Sequence, residues 1–318
     1  MKKLVIMVSI LLVLVIILSG CSRPATTPAA NTPPAQPAPV TLKIGSLPRI
    51  FDLVLYAAQQ DGVFEKNNLR VEIVPFASVL ERNNAFLAGQ LDGFVDSIYE
   101  AINMNKEVLN CKVAGHNLMP GMFKIVAAPK SGITQPAHLK GAKIATSTGT
   151  IMDYALDKLL ASQGISSNDV TYVNVPRMPL RLTMLESGDV TAAILTPPLS
   201  EQAIASGNRL ILDDSTLLLA GPALIFNLNT VNNQPQAIRN FVKSWNEEVA
   251  LINAGTEKYR TLLVKTAQVP EGLASSYVIP VFPEVRLPTP DEVASMSHWM
   301  KSKGLIPTDA SYDNLVFK

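Results

Sequence analysis

Five short polar segments of this sequence place hydroxyl, amide, carboxylate or basic side chains directly after an apolar run that favours a strand. They are Ser46–Phe51, Asp96–Ser97, Gly115–Asn117, Ser147–Asp153 and Thr196–Pro198. Side chains of these types donate to or accept from small polar molecules. In open α/β sheets, ligands bind beyond the carboxyl ends of the strands, where such segments lead into helices. The segments therefore predict the binding of a small molecule.

The first two segments each allow a ligand contact and a structural alternative. Ser46 offers a hydroxyl, and Arg49 suits an anion, although exposed loop arginines are usually solvated. Phe51 could stack on a ligand or join the core. Asp96 could accept a hydrogen bond from a ligand amine, unless Asp96 or Ser97 caps the next helix. Both interpretations stay open for each residue.

The third and fifth segments carry His116, Asn117 and Thr196. His116 could donate to an anion or titrate near neutral pH, and a locally hydrogen-bonded loop histidine is the alternative. The hydroxyl of Thr196 could face a ligand or cap the helix that follows the two prolines. Both segments are therefore candidates for the ligand site.

The fourth segment is a turn that precedes a predicted helix and consists of Ser147, Thr148, Gly149 and Thr150. Backbone amides at a helix N-terminus, together with the helix dipole, favour an anion. Thr150 and Asp153 also have the spacing of a capping box, with Asp in place of the usual Glu. An anion would then meet the Asp153 carboxylate. Whether Asp153 faces the ligand or only caps its helix stays open.

Bond-making chemistry is not indicated by the motifs. The sequence has no G-x-S-x-G, G-x-x-x-x-G-K-[ST], G-x-G-x-x-G or H-E-x-x-H pattern. Its 3 histidines lack the spacing of metal ligands. We therefore expect a protein that is not an enzyme and that needs neither a cofactor nor a metal. The net charge of +1 also argues against nucleic acid as a partner.

The elements that position these segments alternate between short apolar runs and helical patterns, which predicts an α/β architecture with largely parallel strands. The predicted strands are 42–45, 71–75, 93–96, 112–115, 123–128, 143–146, 170–175, 190–195, 209–212 and 223–227. The predicted helices are 51–61, 78–89, one from 97, 150–163, 178–187 and 199–206, with a mostly helical region at 235–303. Ala88–Val95 and Ser187–Ile194 repeat one pattern of helix end, glycine and strand. The repeat suggests two similar lobes.

The N-terminus has the anatomy of an export signal. Two lysines precede the apolar run Leu4–Leu18, which is shorter than the ~20 residues of a transmembrane helix. Leu18–Cys21 resembles the bacterial lipoprotein box, so we expect a signal peptide over 1–21 and lipidation of Cys21. A plain membrane anchor is the alternative. Residues 22–40 are rich in Pro, Ala and Thr and predict an extended tether.

The body resembles the solute-binding proteins of ABC importers, in the branch that takes nitrate, sulfonates, taurine and thiamine-precursor pyrimidines. The resemblance covers Leu42 to Phe226 and depends on the order of several short motifs. These are Leu42–Gly45, Leu55–Phe64, Asn68–Glu72, Gly89–Gly93, His138–Ala145, Thr150–Leu156 and Gly164–Ile165. Two positions depart from the family pattern: Thr191 stands where Asp is frequent, and no His lies near Asp153. The second departure bears on the charge of the ligand.

The resemblance implies a type II periplasmic binding protein fold, in which two lobes, each a mixed sheet flanked by helices, are joined by two crossovers. It places lobe one at 41–130 plus 225–318 and lobe two at 131–224, with crossovers near Ala127–Ile133 and Gly221–Asn227. It implies a monomer outside the cytoplasm, anchored to the membrane by its lipid, that delivers a solute to an ABC permease and its ATPase subunit. A pyrimidine-synthase-like enzyme and a ligand-sensing receptor partner are the alternatives.

Overall fold

The structure is a computed structural model that describes residues 38–318. The predicted signal peptide, the lipidation site Cys21 and the tether up to residue 37 lie outside these residues. No helix within the described part is long and apolar enough to cross a membrane.

Strands and helices alternate along the described chain as the sequence predicts. The strands are β1 Val40–Ser46, β2 Leu69–Pro75, β3 Gly93–Asp96, β4 Cys111–His116, β5 Lys124–Ala127, β6 Lys143–Thr146, β7 Thr171–Asn174, β8 Ala192–Leu195, β9 Arg209–Asp213 and β10 Ala223–Asn227. The α-helices are α1 Leu53–Gln60, α2 Val63–Lys66, α3 Val79–Leu87, α4 Ile98–Met104, α5 Ile151–Ser162, α6 Met178–Ser187, α7 Leu199–Ala205, α8 Leu228–Asn233, α9 Pro235–Ala254, α10 Arg260–Ala267, α11 Pro290–Ser302 and α12 Tyr312–Leu315.

The strands form two mixed sheets of the same design. The first has the order β2-β1-β3-β10-β4, and the second has the order β7-β6-β8-β5-β9. In the first sheet β1 runs parallel to β2 and β3, while β10 is antiparallel to β3 and β4. In the second sheet β6 runs parallel to β7 and β8, while β5 is antiparallel to β8 and β9. The predicted architecture of two mixed sheets flanked by helices is confirmed.

The sheets are closely packed at their centres. The side chains of Leu42 and Ile44 in β1 are at most 1% exposed, and all four residues of β8 are fully buried. Gly93 begins β3 against β10, and a Cβ atom at this position would lie 2.6 Å from the carbonyl oxygen of Ile225. Only glycine therefore permits this approach of the two strands.

Both predicted crossovers were wrong in their positions: the first was placed after β5 instead of before it, and the second overlaps β10. Lys124–Ala127, predicted within lobe one, pairs with Ala192–Leu195 and Arg209–Asp213 of the second sheet. The apolar run identified a strand, but a local pattern does not specify which sheet an antiparallel strand joins. The two crossovers therefore lie at residues 117–123 and 214–222. We call the elements around the first sheet the first lobe and those around the second sheet (β5–β9 and α5–α7) the second lobe.

The two crossovers lie side by side and form a hydrogen-bonded ribbon, which we call the hinge. The N–H of Asn117 donates to the carbonyl of Pro222 at 3.1 Å, and the N–H of Met119 donates to that of Ala220 at 3.1 Å. A Cβ atom at Gly221 would lie 2.4 Å from the carbonyl oxygen of Asn117. The hinge therefore depends on glycine at this position.

A proline-rich segment, residues 280–290, interrupts the helical C-terminal region. Asn253 of α9 donates to the carbonyl of Phe282 at 2.7 Å and accepts from its N–H at 3.0 Å. Asn246, two turns earlier, brackets Val285 in the same way, at 3.1 and 2.8 Å. These side-chain amides satisfy backbone groups of an extended segment that pairs with a strand only at Arg286, opposite His116 of β4.

Candidate binding site between the lobes

A cavity of about 270 Å³ lies where the two lobes and the hinge meet. The first lobe contributes strand-end and helix residues, the second lobe contributes Tyr154, and the hinge contributes one wall. The lining residues are Ile98, His116, Leu118, Tyr154, Leu217, Leu218, Leu219, Ala220, Asp291, Glu292, Ser295 and Met296. Of the twelve candidate ligand residues predicted from the sequence, only His116 is among them.

His116 ends β4 and is 2% exposed. Its backbone is fixed by Arg286, whose carbonyl accepts from the His116 N–H at 2.6 Å and whose N–H donates to the His116 carbonyl at 2.9 Å. Neither ring nitrogen has a hydrogen-bond partner within residues 38–318. Burial lowers the pKa of His116 to about 4, so that the ring is neutral at pH 7. The ring therefore offers one acceptor and one donor.

Two carboxylates of the first turn of α11 form the acidic side of the cavity. Thr289 caps this helix: its hydroxyl accepts from the Glu292 N–H at 3.2 Å, and Glu292 accepts from the Thr289 N–H at 2.7 Å. Glu292 also accepts from both terminal nitrogens of Arg286, at 2.9 and 2.6 Å. Burial opposes the ionisation of Glu292, but these hydrogen bonds lower its pKa to about 2. Asp291 forms none of the salt bridges found among the described residues.

Arg49 and Asp96 come together at the carboxyl edge of the first sheet, but they bind each other. Arg49 donates to Asp96 at 3.0 Å, to Asp52 at 3.3 Å and to the carbonyl of Val95 at 2.7 Å. Arg82 of α3 donates to the same Asp96 oxygen at 2.6 Å. Burial disfavours the charge on Asp96, yet the two arginines lower its pKa to about 2. Asp96 is therefore already paired.

Sequence reasoning missed Arg82, whose side chain is fully buried. A signal was present, because Arg82 lies at helical spacing from Ala85 and Phe86, which are buried on the same face of α3. An arginine on such a face needs a carboxylate partner, and Asp96 at a neighbouring strand end supplies it.

The remaining predicted residues of the first lobe point to partners in the protein. The hydroxyl of Ser46 lies 2.7 Å from that of Tyr56. Phe51 is half-buried and packs against the core. Ser97 is the N-cap of α4 but makes no side-chain capping bond, and its hydroxyl donates to Asp96 at 3.3 Å. Asn117 donates to the carbonyl of Pro283 at 2.7 Å.

The turn before α5 is occupied by acceptors from the protein. The Gly149 N–H donates to Asp153 Oδ2 at 3.0 Å, and the Thr148 N–H donates to Asn174 Oδ1 at 3.2 Å. Thr150 caps the helix by accepting from the Met152 N–H at 3.2 Å. Asp153 therefore supports the helix start, as the capping alternative predicts, although its bond goes to Gly149 rather than Thr150. Burial raises the pKa of Asp153.

Three polar atoms near the sheet edges are buried and have no partner within residues 38–318. They are Asn117 Oδ1, Thr146 Oγ1 and Asp153 Oδ1. All three can accept a hydrogen bond. The hydroxyl of Thr196 donates to the sulfur of Met178 at 3.3 Å, and α7 begins after Pro198 without a side-chain cap. Thr196 therefore does not cap α7.

An unpredicted set of contacts joins the lobes beside the cavity. Asp157 of the second lobe accepts from Trp299 Nε1 at 2.8 Å and from Lys303 Nζ at 2.7 Å, both on α11 of the first lobe. The Tyr99 hydroxyl of the first lobe donates to the carbonyl of Gly149 at 2.5 Å. We call Asp157, Trp299 and Lys303 the interlobe bridge. Tyr172 Oη also donates to Asp157, at 2.6 Å.

Comparison with known families decides the relationship. The model of the family described as "NMT1/THI5 like" matches residues 53–252, which is more than half of the chain. The chain belongs to the NMT1/THI5-like family. A protein of Haemophilus influenzae, provisionally named as a thiamine biosynthesis protein, is 34% identical over 121 residues. That match covers 38% of this chain and 38% of the relative.

A second relative of this family member is a Brachyspira hyodysenteriae protein that is provisionally named as an ABC transporter periplasmic binding protein. It is 24% identical over 263 residues, which cover 77% of this chain and 72% of the relative. Among solved structures, the periplasmic aliphatic sulphonate binding protein SsuA of Escherichia coli aligns with a TM-score of 0.76 at 19% identity, over 88% of this chain and 93% of that chain. The desulfurization enzyme DszB aligns with a TM-score of 0.63 at 14% identity, over 87% and 96%. Both likenesses show a shared fold, which is that of periplasmic binding proteins.

Proposed function

We propose that this NMT1/THI5-like protein is the solute-binding component of an ABC importer and acts outside the cytoplasm. It captures one small polar organic solute between its lobes and presents it to a permease and its ATPase subunit. The observation that carries the proposal is the cavity, because its walls come from the first lobe, the second lobe and the hinge. A solute in this cavity touches parts of the protein that can move relative to one another.

Closure of the lobes follows from this arrangement. A ligand that contacts both lobes binds the closed conformation more tightly than the open one and shifts the population towards it. Two adjacent crossovers are the usual place for such a hinge motion. Capture by closure needs no bond chemistry, which agrees with the expectation that the protein is not an enzyme.

The fold also occurs in an enzyme, so catalysis is the second candidate. Cys111 is the one cysteine within the described residues, and it is fully buried. Burial raises the pKa of its thiol to about 12, whereas a nucleophilic cysteine needs a lowered pKa. His116 is neutral, and no hydrogen bond joins its ring to a serine, threonine or cysteine among the described residues. These features favour binding over catalysis.

The remaining parts of the proposal come from the sequence and the family. We include a lipid anchor at Cys21, a monomeric protein, and a solute of the sulfonate, nitrate, taurine or thiamine-precursor type. A receptor that senses the same solute would use the same cavity. Co-purification with a permease rather than with a signalling receptor distinguishes these two roles.

Native mass spectrometry of the purified protein, followed by a thermal-shift screen of small solutes, tests the proposal. We expect one bound organic solute per chain, or stabilisation by one class of solute. A ligand at a hundred times its Kd stabilises the folded state by about 2.7 kcal/mol. A folded sample that neither retains a solute nor is stabilised by any member of the screen would contradict the proposal.

A further inference from the structure

We infer that the solute is an organic ammonium ion with a compact apolar body. This inference deepens the proposed function and rests on it, because it concerns the same cavity. It narrows the proposed solutes to those with a basic nitrogen and so excludes nitrate and plain sulfonates. It differs from the aliphatic sulphonate named for the E. coli protein of the same fold. Three independent features of the described residues lead to it.

The first feature is the charge of the cavity wall. Among its twelve lining residues, two are acidic and none is Lys or Arg. Arg286 lies behind the wall and pairs with Glu292 at 2.6 Å, which leaves Asp291 as the carboxylate without a salt bridge in the described chain. The wall therefore carries a net negative charge towards a bound solute. A cation is stabilised there, and a sulfonate is repelled.

The second feature is the unpartnered imidazole of His116. A buried polar group that lacks a hydrogen bond costs free energy, and a solute that supplies the bond recovers it. The neutral ring has one acceptor nitrogen, to which an ammonium N–H donates directly. An anion without a proton has no hydrogen to donate to this nitrogen. The other ring nitrogen carries a hydrogen and can donate to an acceptor of either charge, so His116 accommodates a donor-bearing solute and the negative wall disfavours an anion.

The third feature is that the backbone amides and arginines at the strand ends already donate hydrogen bonds to acceptors within the protein. The amides of Thr148 and Gly149, which could bind an anion, donate to Asn174 and Asp153. Arg49 and Arg82 at the edge of the first sheet both bind Asp96. An anion would have to displace a protein carboxylate at either place. The unpartnered atoms near the ends of β4 and β6, which are Asn117 Oδ1, Thr146 Oγ1 and Asp153 Oδ1, can all accept a hydrogen bond.

The shape of the solute follows from the rest of the lining. Ile98, Leu118, Leu219 and Met296 present apolar surface, and the cavity holds about nine waters' worth of liquid volume. A compact hydrocarbon or ring body fits such walls, while Asp291 and His116 bind the charged end. Ser295 also lines the cavity and adds a hydroxyl to it.

The first measurement is the chemical identity of the solute that the purified protein retains, obtained by mass spectrometry after denaturation. We expect a compound with a basic nitrogen. The second is calorimetric titration with three probes that share one ring: cyclohexylammonium, cyclohexanol and cyclohexanesulfonate. The ammonium should bind at least about tenfold more tightly than the alcohol, since a buried hydrogen bond to a charged donor is worth that factor. The sulfonate should not compete.

Two variants and a control connect the binding to the cavity. Asp291→Asn should weaken binding of cyclohexylammonium by about two- to fivefold, as expected for a partly exposed charge. His116→Phe should weaken it by about tenfold. Glu186→Gln makes the same charge change as Asp291→Asn on the exposed surface of α6 and should change nothing. Asp291 is at the surface, so its variant tests the inference even if His116→Phe fails to fold.

The outcomes separate the inference from the proposed function. A retained sulfonate or neutral solute, or binding of the alcohol or the sulfonate probe at least as tight as that of the ammonium, overturns the inference and leaves solute binding intact. Equal binding by Asp291→Asn and wild type also overturns it. If the protein retains no solute and no compound of the wider screen stabilises it, the proposed function itself fails.

Discussion

Single residues near the cavity show how the protein neutralises its own charges. Asp153 accepts from the Gly149 N–H at the start of α5, at 3.0 Å, where an external anion would otherwise bind. Asp96 likewise forms salt bridges with Arg49 and Arg82, which an external anion would otherwise be able to bind. In both cases a carboxylate that the sequence offers as a ligand contact has a partner in the fold. The residues left for a solute are the acceptors and the His116 ring.

Asp153→Ala should lower the free energy of unfolding by about 1 kcal/mol, because it removes the acceptor at the helix start and a negative charge near the helix N-terminus. Urea denaturation measures the change. Asp153→Asn keeps an oxygen that can accept from Gly149 and should lose less. A stability of Asp153→Ala equal to that of wild type would show that the bond to Gly149 contributes nothing.

Glu248 predicts a pH dependence of stability. It is fully buried in α9, and burial raises its pKa to about 7 from the ordinary value of 4.5. Between these two values the folded state holds a proton that the unfolded state has lost. Its contribution to stability is therefore full below about pH 4.5 and declines as the pH rises to about 7.

Denaturation curves of wild type and Glu248→Gln between pH 4 and 8 test this dependence, since the difference isolates one group from the other carboxylates. We expect the stability of the variant relative to wild type to increase as the pH rises through this range. A difference that does not change with pH would mean that Glu248 titrates normally in the folded protein.

At the scale of elements, the hinge and the interlobe bridge are the contacts that the proposed closure of the lobes involves. The hinge requires a glycine, because a Cβ atom at Gly221 would lie 2.4 Å from the Asn117 carbonyl oxygen. The bridge joins α5 to α11 through Asp157. In the proposed closure, the hinge would set the axis of motion, and the bridge would stabilise the arrangement in which α5 contacts α11.

Gly221→Ala should destabilise the protein by roughly 1–3 kcal/mol, as overpacking of a close contact does. Gly272→Ala is a matched control, because nothing lies within 4 Å of a Cβ atom at that position. Chemical denaturation of both variants provides the measurement. If Gly221→Ala were as stable as Gly272→Ala, the two crossovers would have to move apart at Gly221 without a cost in free energy.

Trp299→Phe should weaken the interlobe bridge, because it removes the indole N–H that donates to Asp157 at 2.8 Å and keeps most of the packing. We expect solute affinity to fall by about two- to tenfold, the range of one hydrogen bond of about 0.5–1.5 kcal/mol. Trp299 does not line the cavity, so the loss would come from closure rather than from solute contacts. If the affinity for the solute did not change, the interlobe bridge would contribute to the stability of the fold but not to solute binding.

At the scale of the whole molecule, local patterns in the sequence predicted the elements well. The bounds of Gly93–Asp96, Lys143–Thr146, Met178–Ser187 and Ala223–Asn227 agree with the structure, because each apolar run or helical pattern ends at a clear polar or glycine signal. The sheet that contains Lys124–Ala127 was not predictable in this way. Sheet membership depends on pairing with two strands that lie roughly 65 to 90 residues later in the chain.

The site was predicted less completely than the fold. The rule that ligands bind at strand ends identified His116, but it did not identify the wall made by Leu217–Ala220 and α11, more than 100 residues away in sequence. The partners of Asp96 and the role of Asp157 also arise from long-range contacts. Such pairings leave no periodic signal in one sequence.

The most direct test of solute capture by closure is a distance measured between the lobes. Spin labels at Glu107→Cys in the first lobe and Glu186→Cys in the second occupy exposed positions, and pulsed electron paramagnetic resonance reports their separation. The retained solute is first removed by unfolding and refolding the protein. We predict that adding it back to saturation narrows the distribution of distances between the two labels and shifts its centre. An identical distribution with and without bound solute would contradict the account.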